Sequence, residues 1–193
     1  MEQANRALVR IRRAVPEDAS GIARVRVLTW KAQYAGIVPA EYLAGLTPEE
    51  DTPRWQQALA YPASGRFIVV AETQAQVVGF AAAGPERTGD EVYRGEVYAI
   101  YVLPEYQRQG LGRQLMSMCA RELLRDGIDT LLVWVLEANP ARRFYEQLGG
   151  ELVRTGSIEI GGAQLRQLGY GWRDLRVLIR GWQEAEDDPE RVG

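Results

Sequence analysis

The sequence predicts one α/β domain built on a mixed, largely antiparallel sheet of about seven strands, with about four helices packed on it. Three observations predict this. Strand-like runs come in consecutive groups, at 66–73, 75–84 and 96–103 and again at 151–160 and 163–173, which favours antiparallel neighbours. Helical periodicity separates those groups, giving the order β-α-α-β-β-β-α-β-α-β-β instead of the strict alternation of a doubly wound dinucleotide fold. A chain of 193 residues, 46% hydrophobic and 25% charged, also has the size and composition of a single globular domain. Residues 1–183 are assigned to that domain, and the acidic, apolar-poor 184–193 to a mobile tail.

Each element follows from local chemistry. Segment 8–14, LVRIRRA, alternates apolar and basic residues and reads as the first strand. The next stretch opens with Pro16, Glu17 and Asp18, as helix starts do, and carries Ile22, Val25, Leu28 and Trp30 at roughly helical spacing. A second helical stretch, 39–60, is broken at Thr47-Pro48, where the threonine caps a helix whose first residue is proline. RFIVVAET and AQVVGFAAAG form a hairpin through a short link at Thr73–Gln74, and EVYAIYVL (96–103) is a third, β-branched and aromatic strand. A helix over about 109–127 buries Leu111, Leu115, Cys119 and Leu123 and stops at Gly127. The continuous apolar run 130–136 reads as a strand covered on both faces. Asn139-Pro140 then starts a short helix that Gly149-Gly150 ends, and Gly161-Gly162 turns the final hairpin.

Composition narrows the chemistry. The chain has no histidine, so the commonest general base and metal ligand is missing, and with one cysteine a His/Cys zinc site is not expected. Proton transfer falls to a carboxylate, a tyrosine, the thiol or water. Cys119 sits on an apolar helix stripe and reads as core. A net charge of −3 argues against nucleic acid as a partner. No apolar run approaches the roughly 20 residues of a membrane span, and the first residues lack the apolar core of a signal peptide, so a cytoplasmic location is expected.

The stretch YQRQGLGRQLM (106–116) places two glycines where polar sequence becomes amphipathic helix. Helix N-termini carry unpaired N–H groups and partial positive charge, and so attract phosphate. Gly110 and Gly112 remove side chains that would hold a diphosphate away, and Arg108 and Arg113 add charge. No Gly-Lys-Ser/Thr follows, so this is not a P-loop.

With the strand EVYAIYVLPEY before it and LEANPARRFYEQLGG after it, the motif resembles the GNAT superfamily of acyl-CoA-dependent N-acetyltransferases, over roughly residues 8–173. QRQGLG (107–112) is similar to that family's Gln/Arg-x-x-Gly-x-Gly/Ala signature. The resemblance implies that Gln107, Arg108, Gln109, Gly110, Leu111, Gly112 and Arg113 hold the CoA pyrophosphate. It also implies a bulge in the fourth strand that splays it from the fifth, so that backbone of Ile100, Tyr101 and Val102 pairs with the pantetheine arm. Glu96, eleven residues before Gln107, is placed by it as the general base that takes a proton from the attacking amine, directly or through water. Where other members carry a fifth-strand glutamate, this chain has Trp134. Tyr145 matches the tyrosine beside the CoA sulfur, and Asn139 a residue that contacts the pantetheine arm, the tyrosine standing six positions after the asparagine where seven is common. Trp30 and Tyr34 fall in the helices that wall the acceptor pocket. The expected reaction is direct acetyl transfer from acetyl-CoA to a primary amine (a small molecule, a polyamine or a protein N-terminus), without a metal and without an acyl-cysteine. A CoA-binding sensor or assembly subunit that has lost catalysis would carry the same binding residues. Trp172 and Trp182 are expected at a sheet edge or a subunit contact, and a homodimer is compatible with the pattern.

Overall fold

All seven expected strands are present in the computed structural model of the chain, which describes residues 8–74 and 76–179. They are β1 (Arg10–Arg13), β2 (Phe67–Glu72), β3 (Val77–Pro85), β4 (Gly95–Val102), β5 (Leu131–Leu136), β6 (Glu151–Ile160) and β7 (Ala163–Trp172). They form one sheet in the order β1-β2-β3-β4-β5-β7-β6. Only β4 and β5 run parallel; every other pair is antiparallel. Trp182 and the expected tail lie outside the described residues.

The helices are α1 (Ala19–Gln33), α2 (Ala40–Gly45), α3 (Pro48–Ala60), α4 (Leu111–Arg125) and α5 (Arg142–Gln147). The stretch 39–60, expected as one broken helix, is two. Leu46 is extended, and the Thr47 hydroxyl caps α3 by accepting from the Glu50 amide at 3.2 Å. Residues 16–18 form a separate 3-10 turn ahead of α1. Leu28, expected on the buried stripe of α1, is 44% exposed, and Ile22, Ala23 and Val25 face the core instead. The long helix begins at Leu111, two residues later than expected, because Gly110 is left-handed (φ 82°).

Register shows which helix covers which face. Phe80 packs edge-on to Trp55 of α3, with ring centroids 5.0 Å apart. Its neighbour Gly79 faces the other way, where a Cβ would stand 3.5 Å from Leu115 of α4. Thus α1 and α3 cover one face of the central strands and α4 the other. Cys119 is fully buried on α4, and burial pushes its thiol pKa up, which leaves it unreactive. Trp172 is also core: its indole N–H donates to the Leu148 carbonyl at 3.0 Å.

Candidate active site

The parallel pair β4–β5 stays in register for only three residues, Gly95–Val97 against Leu131–Val133. Beyond Val97 the strands part. The cause lies on the other edge of β4, where Ala82 pairs with Ala99 but Ala83 with Val97. Tyr98 is thus an extra residue, a bulge that bends β4 away from β5. The opened strands line a narrow cleft of about 50 Å³, with Tyr98–Tyr101 on one wall, Val133–Val135 on the other, and Gln33, Tyr34, Asn139, Ala141 and Tyr145 around it.

At the open end of β4, Pro104 forces a 3-10 turn and the chain enters the glycine motif. Gln107 does not point its amide outward; Nε2 donates to the Val102 carbonyl at 2.8 Å and pins the loop to the strand. Gln109 similarly ties back to the Glu105 carbonyl at 3.0 Å. Arg108 is held at φ 60°, the one described non-glycine residue with positive φ. The amides of Leu111, Gly112 and Arg113 lie ahead of the first helical bond, Gln114 N–H to Gly110 O, and have no acceptor among the described residues. The two glycines do different work. A Cβ on Gly110 would meet nothing within 4 Å, so the loop surface is open there, whereas a Cβ on Gly112 would stand 3.1 Å from the Phe144 ring of α5.

Asn139 is buried, and its Oδ1 accepts from the Ala141 amide at 2.9 Å, so it shapes the turn before α5 while facing the cleft. Tyr145 is wedged between Phe144, Tyr170 and Trp172. Burial pushes its phenol well above the usual tyrosine range. Its hydroxyl bonds to no described residue. Tyr101, the cross-strand partner of Phe80, is raised by burial as well, as is Tyr34, whose hydroxyl interacts with Tyr101 and Asn139. Tyr34 therefore lines the cleft. Trp30 packs behind it (ring centroids 4.7 Å apart) and under the Arg26 guanidinium, its indole N–H buried without an acceptor among the described residues. Tyr42 of α2 closes over Gly161 of the β6–β7 turn, completing this wall.

Glu96 pairs with Gly84 two positions below the bulge and is 2% exposed. Its carboxylate is held by Arg87, with Nε at 2.9 Å and Nη2 at 2.5 Å. The pair also holds the Arg87 pKa above its ordinary value. Arg87 stacks over Tyr98, 4.5 Å from the ring centroid, which links the pair to the cleft. The bulge expected in the fourth strand is present, but sequence reasoning did not find that Tyr98 is the extra residue, nor did it find Arg87. Arg87 lies in a polar loop with no periodicity, and nothing in the strand EVYAIYVL marks which residue is extra. Trp134, at the position of the absent fifth-strand glutamate, is half-buried in the β5 wall. Among the described residues, no group of three or more His, Cys, Asp or Glu could hold a metal.

A model of the acetyltransferase (GNAT) family matches residues 30–150. The uncharacterized N-acetyltransferase YuaI of Bacillus subtilis is 40% identical over 171 residues, 89% of this chain and 96% of that protein. The L-methionine sulfoximine/L-methionine sulfone acetyltransferase of Salmonella typhimurium is 31% identical over 127 residues, 64% of this chain and 66% of its own. The solved structure of PaiA N-acetyltransferase from Thermoplasma acidophilum in complex with coenzyme A superposes with a TM-score of 0.64 at 19% identity, covering 83% of this chain and 98% of that one.

Proposed function

We propose, from the premise that the chain belongs to the acetyltransferase (GNAT) family, that this acyltransferase moves an acetyl group from acetyl-CoA to the primary amine of a small molecule in one ternary complex. The observation that carries the reading is the opened β4–β5 cleft ending at the three free amides of α4. An extended pantetheine arm fits between two parted strands as an added strand does, and a diphosphate fits free amides at a helix start. The open surface at Gly110 leaves room for it. The relative from Salmonella is named for amino-acid derivatives, which supports a small-molecule acceptor over a polyamine or protein N-terminus.

In this reading the amine nitrogen, having lost one proton, attacks the thioester carbon; the C–N bond forms, the C–S bond breaks, and the sulfur leaves with the electron pair. The nitrogen's second proton passes to that thiolate, so that the products are the neutral amide and the CoA thiol. A backbone N–H in the Ile100–Val102 segment polarises the thioester carbonyl. Glu96, on the acceptor side of the sheet, takes the proton that the ammonium must lose. Tyr145 hydrogen-bonds the departing thiolate. Its raised pKa keeps the O–H protonated but makes it a weaker acid than a thiol near 8.5, so donation of a hydrogen bond is favoured over full proton transfer. Cys119 is too buried to carry the acetyl group.

Incubation with acetyl-CoA and pooled amines, followed by free-thiol release and mass spectrometry of the pool, tests the reading. Thiol release matched by a product 42 Da heavier is expected, and Glu96→Gln lowers kcat by about 10²-fold or more. Binding of CoA with no transfer to any amine contradicts the catalytic reading. An unchanged rate in Glu96→Gln contradicts the base.

A further inference from the structure

The Arg87–Glu96 pair poses a problem for the proposed base, because both carboxylate oxygens already accept guanidinium hydrogen bonds and the residue is almost excluded from solvent, which leaves an incoming ammonium no open oxygen. The same pair contains its solution. Arg87 commits Nε and Nη2 to Glu96, while Nη1 has no partner among the described residues and the side chain is 48% exposed. Arg66 lies over the same Tyr98 ring, 5.3 Å from its centroid, is exposed, and pairs with no carboxylate among the described residues. Around one aromatic residue of the cleft there are thus two guanidiniums and one carboxylate. The excess positive charge attracts an anion, and the carboxylate beside it attracts a cation.

We infer that Arg87 reads the acceptor: its free edge takes the carboxylate of a molecule that carries a carboxylate and a primary amine on the same carbon, and this delivers the amine to Glu96. The acceptor is then a free α-amino acid or a close analogue. The inference rests on the acetyl-transfer reading above and adds to it the residue that selects the substrate. As the acceptor carboxylate engages Arg87, the guanidinium shares its hydrogen bonds between two carboxylates and loosens from Glu96. The ammonium supplies Glu96 with a replacement cation, so neither buried charge is left alone. Transfer of the ammonium proton to Glu96 then discharges a carboxylate that is costly to keep without its full ion pair, and the freed amine lone pair forms the C–N bond as the C–S bond breaks. An acceptor without a carboxylate leaves Arg87 clamped on Glu96. Arg87 is accordingly a specificity-determining residue that also controls when the base is available. Arg66 adds charge at the mouth of the site.

The test uses the full chain with acetyl-CoA and three acceptor sets in parallel: the pooled free L-amino acids, the matching pooled amino-acid amides, and spermidine. The wild type is expected to use the free acids with kcat/KM at least about tenfold above the amides, the size of one charge-assisted hydrogen bond. Arg87→Gln lowers kcat/KM for the acids by at least about tenfold, mainly through KM, and brings the acid-to-amide ratio toward one; Arg87→Lys keeps part of the ratio. Should Arg87→Gln fail to fold with Glu96 left unpaired, the wild-type ratio decides alone. Amides or spermidine used as well as the acids overturn this inference and leave the acetyltransferase reading intact. No transfer to any of the three sets overturns this inference, and the acetyltransferase reading falls with it only if the wider amine pool also gives no product.

Discussion

Replacing each glycine of the motif in turn by alanine separates two jobs that the sequence shows as one. Gly112 lies in the first turn of α4, where alanine is favoured over glycine by up to about 1 kcal/mol. Against that gain, its Cβ would stand 3.1 and 3.2 Å from the Phe144 ring carbons. Contacts this short force a packed neighbour aside, and overpacking of that kind costs about 1–3 kcal/mol. Gly112→Ala is therefore expected to be destabilising by about 1 kcal/mol, or about 2–4 °C in Tm for a chain of this size. Shrinking the ring should recover it, so the cycle Gly112→Ala, Phe144→Leu and the double variant should show a coupling of about 1 kcal/mol. Gly110→Ala behaves differently. Its φ of 82° costs a non-glycine residue about 1–2 kcal/mol, yet its methyl meets nothing, so its effect adds to that of Phe144→Leu without coupling. That methyl also stands on the open loop surface beside the free amides, so Gly110→Ala loses more of the Tm rise that saturating CoA produces than Gly112→Ala does. Thermal unfolding of the wild type, the three single variants and the two double variants, with and without CoA, reads all of this. Coupling of Phe144 to position 110 and not to 112 would refute the packing argument.

Two further perturbations follow from the buried phenols. Tyr145→Phe removes the hydrogen bond to the leaving thiolate and leaves the ring packing in place; kcat should fall roughly 10- to 100-fold with KM for acetyl-CoA little changed, measured by thiol release, and an unaltered kcat contradicts the role. Tyr34, Tyr101 and Tyr145 are raised by burial, and Tyr170 is pushed up to about 12 by burial first and its bond to Glu146 next. Unfolded phenols ionise near 10 while the folded ones keep their protons, so above that pH the native state binds more protons and stability falls as pH rises. Urea midpoints should hold between pH 8 and 9.5 and drop steeply beyond about 10, less so in Tyr145→Phe; a midpoint flat through pH 11 contradicts the assignment.

The succession of strands along the chain was legible because each strand is either an alternating or a continuous apolar run bounded by turn residues, and Gly161-Gly162 takes positive φ at both positions of its turn. The donor side was legible because its chemistry is mostly backbone: free amides and parted strands need only glycines and a proline at fixed spacing. Side-chain geometry was less so. The same periodicity that brings Ile22 and Val25 to the core left Leu28 exposed, because roughly helical spacing does not mark where the buried stripe ends. Gln107 read as a phosphate contact, but its amide is used on the Val102 carbonyl, a partner five residues away that only the 3-10 turn brings near. The Arg87–Glu96 pair was invisible because it joins an aperiodic loop to a strand, and its formation depends on how residues 86–94 fold back. Contacts of that kind leave no periodic trace, which is why the sequence offered candidates for a donor site and left the acceptor open.

The central claim is that acetyl-CoA lies between β4 and β5 with its diphosphate on the start of α4. Amide hydrogen exchange followed by mass spectrometry, with and without saturating acetyl-CoA, tests it most directly. The account predicts slowed exchange in peptides spanning residues 98–114 and 133–145, with β1, β2 and β6 unchanged. Protection confined to other parts of the sheet, or none at all at saturating ligand, would contradict it.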